Sequence, residues 1–178
     1  MENTFKVLKR EEVSPKNQHV FNQLEKTIGA VPNLYSTLAY SENALETYIN
    51  LENSKTSLNK KEIEAVTLVV SEVNNCVYCL SAHTMVAKLN GFTEEQILEI
   101  RSGSVGFDQK LDALVKLAKQ LSEKRHPGDG RLATAFFEVG YTKENLIDLI
   151  VHIGDRTISN ILHAVTQVPN EFPPAKHI

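Results

Sequence analysis

Both cysteines of the chain fall in one tetrapeptide, Cys76-Val77-Tyr78-Cys79. His83 follows the second by four residues, and Glu64 precedes the first by twelve. Sulfur, imidazole and carboxylate at these intervals can serve two chemistries, thiol–disulfide exchange or metal coordination. On a helix, residues three and four apart share a face at about 5–6 Å, close enough for two thiols to bridge. The first turn of a helix offers free backbone N–H groups and the positive end of the dipole, which favour a thiolate and suit Cys76. Cys79 has a different advantage. His83 lies one helical turn beyond it and can take up the thiol proton, directly or through a water, near neutral pH.

Zinc is the competing use of the same residues, because Cys76, Cys79, His83 and Glu64 form a mixed sulfur, nitrogen and oxygen set. Structural zinc usually draws on a second Cys or His pair elsewhere, and the chain has no second cysteine pair. Burial as small hydrophobes is the ordinary fate of lone cysteines. Two cysteines within four residues, with a histidine at helical spacing, argue against that fate. The reading is therefore thiol redox chemistry without a metal or cofactor. In a reducing cytosol, a close pair of this kind is catalytic or metal-binding more often than a structural staple.

The elements that must hold these residues read as helices almost throughout. Ser14-Pro15 is an N-cap followed by a proline at the first helical position, and Val20, Phe21, Leu24 and Ile28 form a stripe that stops at Gly29. Val31-Pro32-Asn33 reads as a turn, and a second helix is expected from near Ser41, with Ala44, Leu45, Tyr48 and Ile49 inward. Asn59 with Glu62 three positions on predicts a capped helix through Ile63, Val66 and Val70. Taken alone, the β-branched run Val66–Val70 would equally pass for a buried strand. Asn74-Asn75 interrupts the pattern before the cysteine segment, which stays apolar as far as Gly91. That break weakens Glu72, four residues before Cys76, as a partner of the thiols. Leu111, Leu114, Val115, Ala118 and Leu121 predict an amphipathic helix ending before His126-Pro127-Gly128. A short segment around Leu132–Val139 and a long helix from about Thr142 to Val165 follow.

On that last helix His152, Asp155, Ser159 and His163 share one face, and Ile147, Ile150, Gly154, Ile158, Ile161 and Val165 another. The expectation is that the polar face lies on solvent or at a subunit contact. A Ser-His-Asp hydrolase is not expected from one helix, which cannot also supply an oxyanion hole.

The sequence also echoes itself. Gly91-Phe92-Thr93-Glu94-Glu95-Gln96-Ile97-Leu98-Glu99-Ile100 and Gly140-Tyr141-Thr142-Lys143-Glu144-Asn145-Leu146-Ile147-Asp148-Leu149 agree in residue type nearly throughout. In each, a glycine can end one helix and a threonine can cap the next. The echo points to a duplicated helical unit as readily as to a common helix connection.

At 178 residues, with 42% hydrophobic residues and a formal net charge of -3, one domain is expected. Its bounds are residues 1–178, with an N-terminal arm over 1–15 and an irregular tail over 167–178. The mild charge points to neither nucleic acid nor an anionic membrane as partner. Residues 1–20 lack an apolar leader core, and no apolar run is long enough for a membrane span. A cytoplasmic location is expected.

The stretch Glu64-x11-Cys76-x2-Cys79-x3-His83, set between Ser57-Leu58-Asn59-Lys60-Lys61-Glu62 and Gly91-Phe92, resembles the alkylhydroperoxidase AhpD core of the carboxymuconolactone decarboxylase superfamily. With Val31-Pro32-Asn33 upstream and the second Gly-aromatic-Thr connection downstream, the resemblance covers most of residues 25–170. It implies an all-α, AhpD-like helical bundle with internal duplication, assembled as a homo-oligomer, often a trimer or hexamer. It further implies thiol-dependent reduction of alkyl hydroperoxides in antioxidant defence. Cys79 is then the attacking thiol, Cys76 the resolving thiol, His83 the base and Glu64 the group that orients it. An external dithiol, on a lipoyl or thioredoxin-like protein, would reduce the resulting disulfide. The reverse assignment of the cysteines stays open. So do a carboxymuconolactone decarboxylase-like lyase and a non-catalytic redox-sensing or zinc-binding oligomer. One departure stands out: where the best-known AhpD proteins have a histidine just before the second cysteine, this chain has Tyr78, a poor base at neutral pH.

Overall fold

The computed structural model describes residues 5–178; the first four residues of the expected N-terminal arm lie outside the described residues. Among those described there are nine α-helices and no strand, with one 3-10 turn at Arg10–Glu12. The helices are α1 (Pro15–Ile28), α2 (Asn33–Leu38), α3 (Ala44–Glu52), α4 (Lys60–Val73), α5 (Val77–Leu89), α6 (Glu94–Ser102), α7 (Gln109–Lys124), α8 (Arg131–Glu138) and α9 (Lys143–Thr166). The all-α expectation holds. The segment that could pass for a strand is the middle of α4. The short helix α2 begins at Asn33, the last residue of the expected turn.

Contacts group the chain into two compact units. The first comprises the chain up to Ser54 together with Ile161–Glu171. Ser14 starts α1 by accepting from the backbone N–H of Asn17, and Gly29 ends it in the left-handed region at φ 84°. Val20, Phe21 and Leu24 of α1 pack with Leu38, Leu45, Tyr48 and Leu162.

The second unit comprises Lys55–Asn160 and Phe172–Ile178, and α4 is its axis, packing against α5, α6 and α7. A reciprocal cap starts α4. Asn59 accepts from the N–H groups of Lys61 and Glu62, while Glu62 Oε2 accepts from Asn59 N at 2.8 Å. Ala65, Val66, Leu68, Val69 and Val70 are all fully buried. That burial explains the strand-like run: between the buried polar positions Glu64, Thr67 and Ser71, the enclosed stretch Val66–Val70 carries β-branched residues with no exposed position among them.

The two echoed connections are built alike. In the first, Gly91 N bonds Lys88 O and Phe92 N bonds Ala87 O; in the second, Gly140 N bonds Phe137 O and Tyr141 N bonds Phe136 O. Both glycines are left-handed, at φ 86° and 95°, as such a helix ending requires. Phe92 and Tyr141 line the same cavity of about 280 Å³, with Lys61, Glu62 and Lys110. Tyr141 donates to Glu62 Oε1 at 2.8 Å, and burial followed by that carboxylate holds its phenol well above the ordinary range.

The long helix departs from expectation. Its polar residues Asp155, Ser159 and His163 are buried and His152 is mostly so, whereas Ile147, Ile150, Val151, Ile158, Ile161 and Val165 are exposed. The expected solvent-facing polar side therefore faces inward. Within the second unit the reason is a set of buried partners: His152 Nε2 meets Thr67 Oγ1 at 2.8 Å, and Asn160 bonds Ser71 Oγ at 3.2 Å and Asn74. Buried polar groups are tolerated where hydrogen bonds replace those to water.

Candidate active site

The site begins where α4 ends. Asn74 caps that helix, Asn75 turns through the left-handed region at φ 54°, and Cys76 N returns to Ser71 O at 2.9 Å. This is the interruption that the asparagine pair predicts, and it sets Cys76 as the N-cap of α5 rather than inside its first turn. Cys76 Sγ accepts from Cys79 N at 3.3 Å, in the place where an N-cap oxygen would ordinarily sit. Cys76 and Cys79 are joined as a disulfide, their Cα atoms 5.3 Å apart. Both are buried, at 2% and 4% exposure.

One turn along α5 stands His83. Its Nδ1 meets Glu64 Oε2, from α4, at 2.9 Å, so helix packing brings together the residues predicted as base and orienter. The other ring nitrogen, Nε2, lies 3.2 Å from Nη1 of Arg156 on α9. Arg156 is itself buried, and its Nε and Nη2 both donate to Asp155 Oδ2. His152 Nδ1 stands 3.6 Å from the same carboxylate oxygen. A continuous polar chain thus runs from Glu64 through His83, Arg156 and Asp155 to His152 and Thr67. Sequence reasoning noted Asp155 and His152 but missed Arg156. The available signal was an Asp-Arg pair flanked by Ile153 and Ile158 in a helix otherwise rich in apolar residues.

Glu72, the weaker candidate, is turned elsewhere: its carboxylate accepts from Arg101 Nε at 2.7 Å. Arg101 Nη1 also donates to Lys176 O at 2.6 Å, and Ala175 N donates to Ser81 Oγ at 3.3 Å. The irregular C-terminal segment is therefore pinned along α5. Tyr78, between the two cysteines, meets the edge of Phe172 with ring centroids 5.4 Å apart. No group of three or more His, Cys, Asp or Glu side chains is arranged to hold a metal ion among the described residues. No helix there is long and apolar enough to cross a membrane.

Comparison with known proteins gives three findings. Residues 41–125 match the sequence model of the Carboxymuconolactone decarboxylase family. No curated protein matches the chain. Several solved structures share the fold. An uncharacterized peroxidase-related protein from Silicibacter sp. TM1040 is 19% identical with a TM-score of 0.78, over 98% of this chain and 93% of that one. An uncharacterized peroxidase-related protein with an alkylhydroperoxidase AhpD core, from Ralstonia eutropha JMP134, is 18% identical with a TM-score of 0.80, over 90% and 88%. The debrominase Bmp8 is 18% identical with a TM-score of 0.76, over 92% and 90%. At such identities the likeness carries the fold alone.

Proposed function

We propose that this chain, an AhpD-like member of the carboxymuconolactone decarboxylase superfamily, reduces hydroperoxides through a dithiol–disulfide cycle of Cys76 and Cys79. The observation that carries the reading is the bonded cysteine pair at the start of α5 with the His83–Glu64 pair one turn away. Cys79 gives up its proton to His83, directly or through a water, and the thiolate attacks the terminal oxygen of the hydroperoxide. The O–O bond breaks, the alcohol leaves with a proton, and Cys79 becomes a sulfenic acid. Cys76 then attacks that sulfur, water leaves, and the disulfide forms. An external dithiol returns both electrons by exchange. Glu64 holds the ring so that Nε2 is the accepting nitrogen.

Tyr78, in the place of a second histidine, leaves His83 as the only imidazole of this segment. The fold does not choose the oxidant, since a debrominase shares it. The protein is proposed to act in the cytoplasm as a homo-oligomer. Exposed Ile147, Ile150, Val151 and Ile158 along α9 support self-association, because exposed apolar faces mark interaction surfaces.

The test is a thiol titration of the dithiol-reduced protein before and after stoichiometric alkyl hydroperoxide. Loss of two thiols per chain with release of one alcohol, reversed by a dithiol and abolished by Cys79→Ser, is expected. Thiols that survive the oxidant would sink the reading.

A further inference from the structure

We infer that Arg156 is a positioning residue for His83, holding the ring as the Nδ1–H tautomer. As a statement about catalysis this rests on the peroxidase reading above; as a statement about the ring it stands on geometry. A guanidinium has donors and no acceptor. At 3.2 Å from Nη1 of Arg156, Nε2 of His83 therefore presents its lone pair. On the other side, Nδ1 faces the carboxylate of Glu64 at 2.9 Å, and an ionised carboxylate only accepts. The ring is held between a group that only donates and a group that only accepts, which leaves one neutral tautomer.

The two neighbours hold the ring from different helices, Glu64 from α4 and Arg156 from α9. Behind Arg156 on α9 stand Asp155 and His152, and on the ring's own helix stand Cys76 and Cys79. Two bonds to Asp155 Oδ2 fix the guanidinium in a buried setting. Its pressure on Nε2 is thus part of the packed structure.

The consequence for a thiol base is direct. Proton transfer from a cysteine needs a vacant lone pair, and the wrong tautomer or a resting imidazolium offers none. A disulfide has no thiol proton to give, and in that state the guanidinium fills the acceptor. When the pair is reduced, a thiol or a bridging water must replace Arg156 at Nε2.

The experiment reads the ring itself, by nitrogen NMR of histidine-labelled protein titrated with pH, with His83→Gln identifying the signal. In the unsubstituted protein the neutral ring is expected as Nδ1–H. Arg156→Gln puts an amide oxygen within reach of Nε2 and is expected to admit the Nε2–H tautomer. Arg156→Lys keeps the buried cation and serves where the glutamine variant does not fold. As another donor-only group, the lysine is expected to keep the Nδ1–H tautomer. An Nε2–H ring in the unsubstituted protein overturns the inference, as does an exclusively Nδ1–H ring in Arg156→Gln or an Nε2–H ring in Arg156→Lys. None of these signals involves a hydroperoxide, so their failure and the failure of the peroxidase reading are separate results.

Discussion

The carboxylate of Glu64 and the imidazole of His83 meet at 2.9 Å although nineteen positions separate them in the chain. The α4–α5 packing makes the pair, so the two residues should act as a unit. His83→Ala is expected to slow hydroperoxide-driven thiol loss by about 100-fold, the scale of a removed general base. Glu64→Gln keeps the shape and loses the charge, and a smaller fall of about tenfold is expected. Stopped-flow thiol detection measures both, and a double variant no slower than His83→Ala would show that the residues work together.

The cysteines should divide their labour. After one equivalent of hydroperoxide, Cys76→Ser is expected to hold a sulfenic acid that a dimedone-type reagent captures and mass spectrometry locates at Cys79. Cys79→Ser should remain a free thiol under the same conditions. Labelling of Cys76 in the Cys79→Ser protein would reverse the roles and favour the position at the helix start over proximity to His83.

Asp155 and Arg156 are both buried, with the carboxylate accepting from Nε at 3.0 Å. Removing one partner leaves the other charge without its counterion, which costs about 3–5 kcal/mol. Asp155→Ala is accordingly expected to lower the urea midpoint steeply, more than Ser57→Ala near the exposed carboxylate of Asp148. Equal effects from the two substitutions would remove the argument for a buried ion pair.

His163 provides a pH dependence of stability. Burial, opposed by a backbone contact with Val168 O, holds its pKa below the ordinary 6.5. A histidine depressed in the folded state takes up protons more readily when unfolded, so the sign is fixed. Its contribution is full above the unfolded value of 6.5 and is lost as the pH falls below that value, toward the folded one. Urea unfolding at pH 7.5 and pH 5.5 should show a smaller acid penalty in His163→Gln than in the parent protein.

The exposed stripe of α9 should decide the assembly. Ile150→Glu with Ile158→Glu, both at positions open in a single chain, is expected to reduce the sedimentation coefficient to that of a monomer while helical circular dichroism is retained. A parent protein that already sediments as a monomer would contradict self-association.

Much of this was legible in the sequence because it rests on local rules. The Asn59–Glu62 cap, the break at Asn74-Asn75 and the two glycine endings each depend on residues within a few positions. Both predicted members of the base pair came together. What the sequence concealed depends on partners distant in the chain. In α9 the apolar set looked like the inner face, since an apolar stripe usually packs on the core. Here Thr67, Ser71 and Arg156 provide bonds inside that make the polar side the buried one. Arg156 escaped notice for the same reason: nothing near it in sequence indicates His83, seventy-three residues earlier. In α4, the fully buried run Val66–Val70, taken alone, reads as strand or helix alike.

The inward polar face of α9 also sets the terms on which that helix can dock. A seam of aliphatic side chains tolerates sliding, because one methyl group serves nearly as well as the next. Donors and acceptors at fixed heights do not. A displacement of α9 by one turn, about 5.4 Å, would carry Asn160 away from Ser71, His152 away from Thr67 and Arg156 away from His83 together. Each of these bonds between helices would then be lost. The pattern therefore favours one register of α9 against α4 and α5. The alignment of guanidinium with imidazole follows from that register.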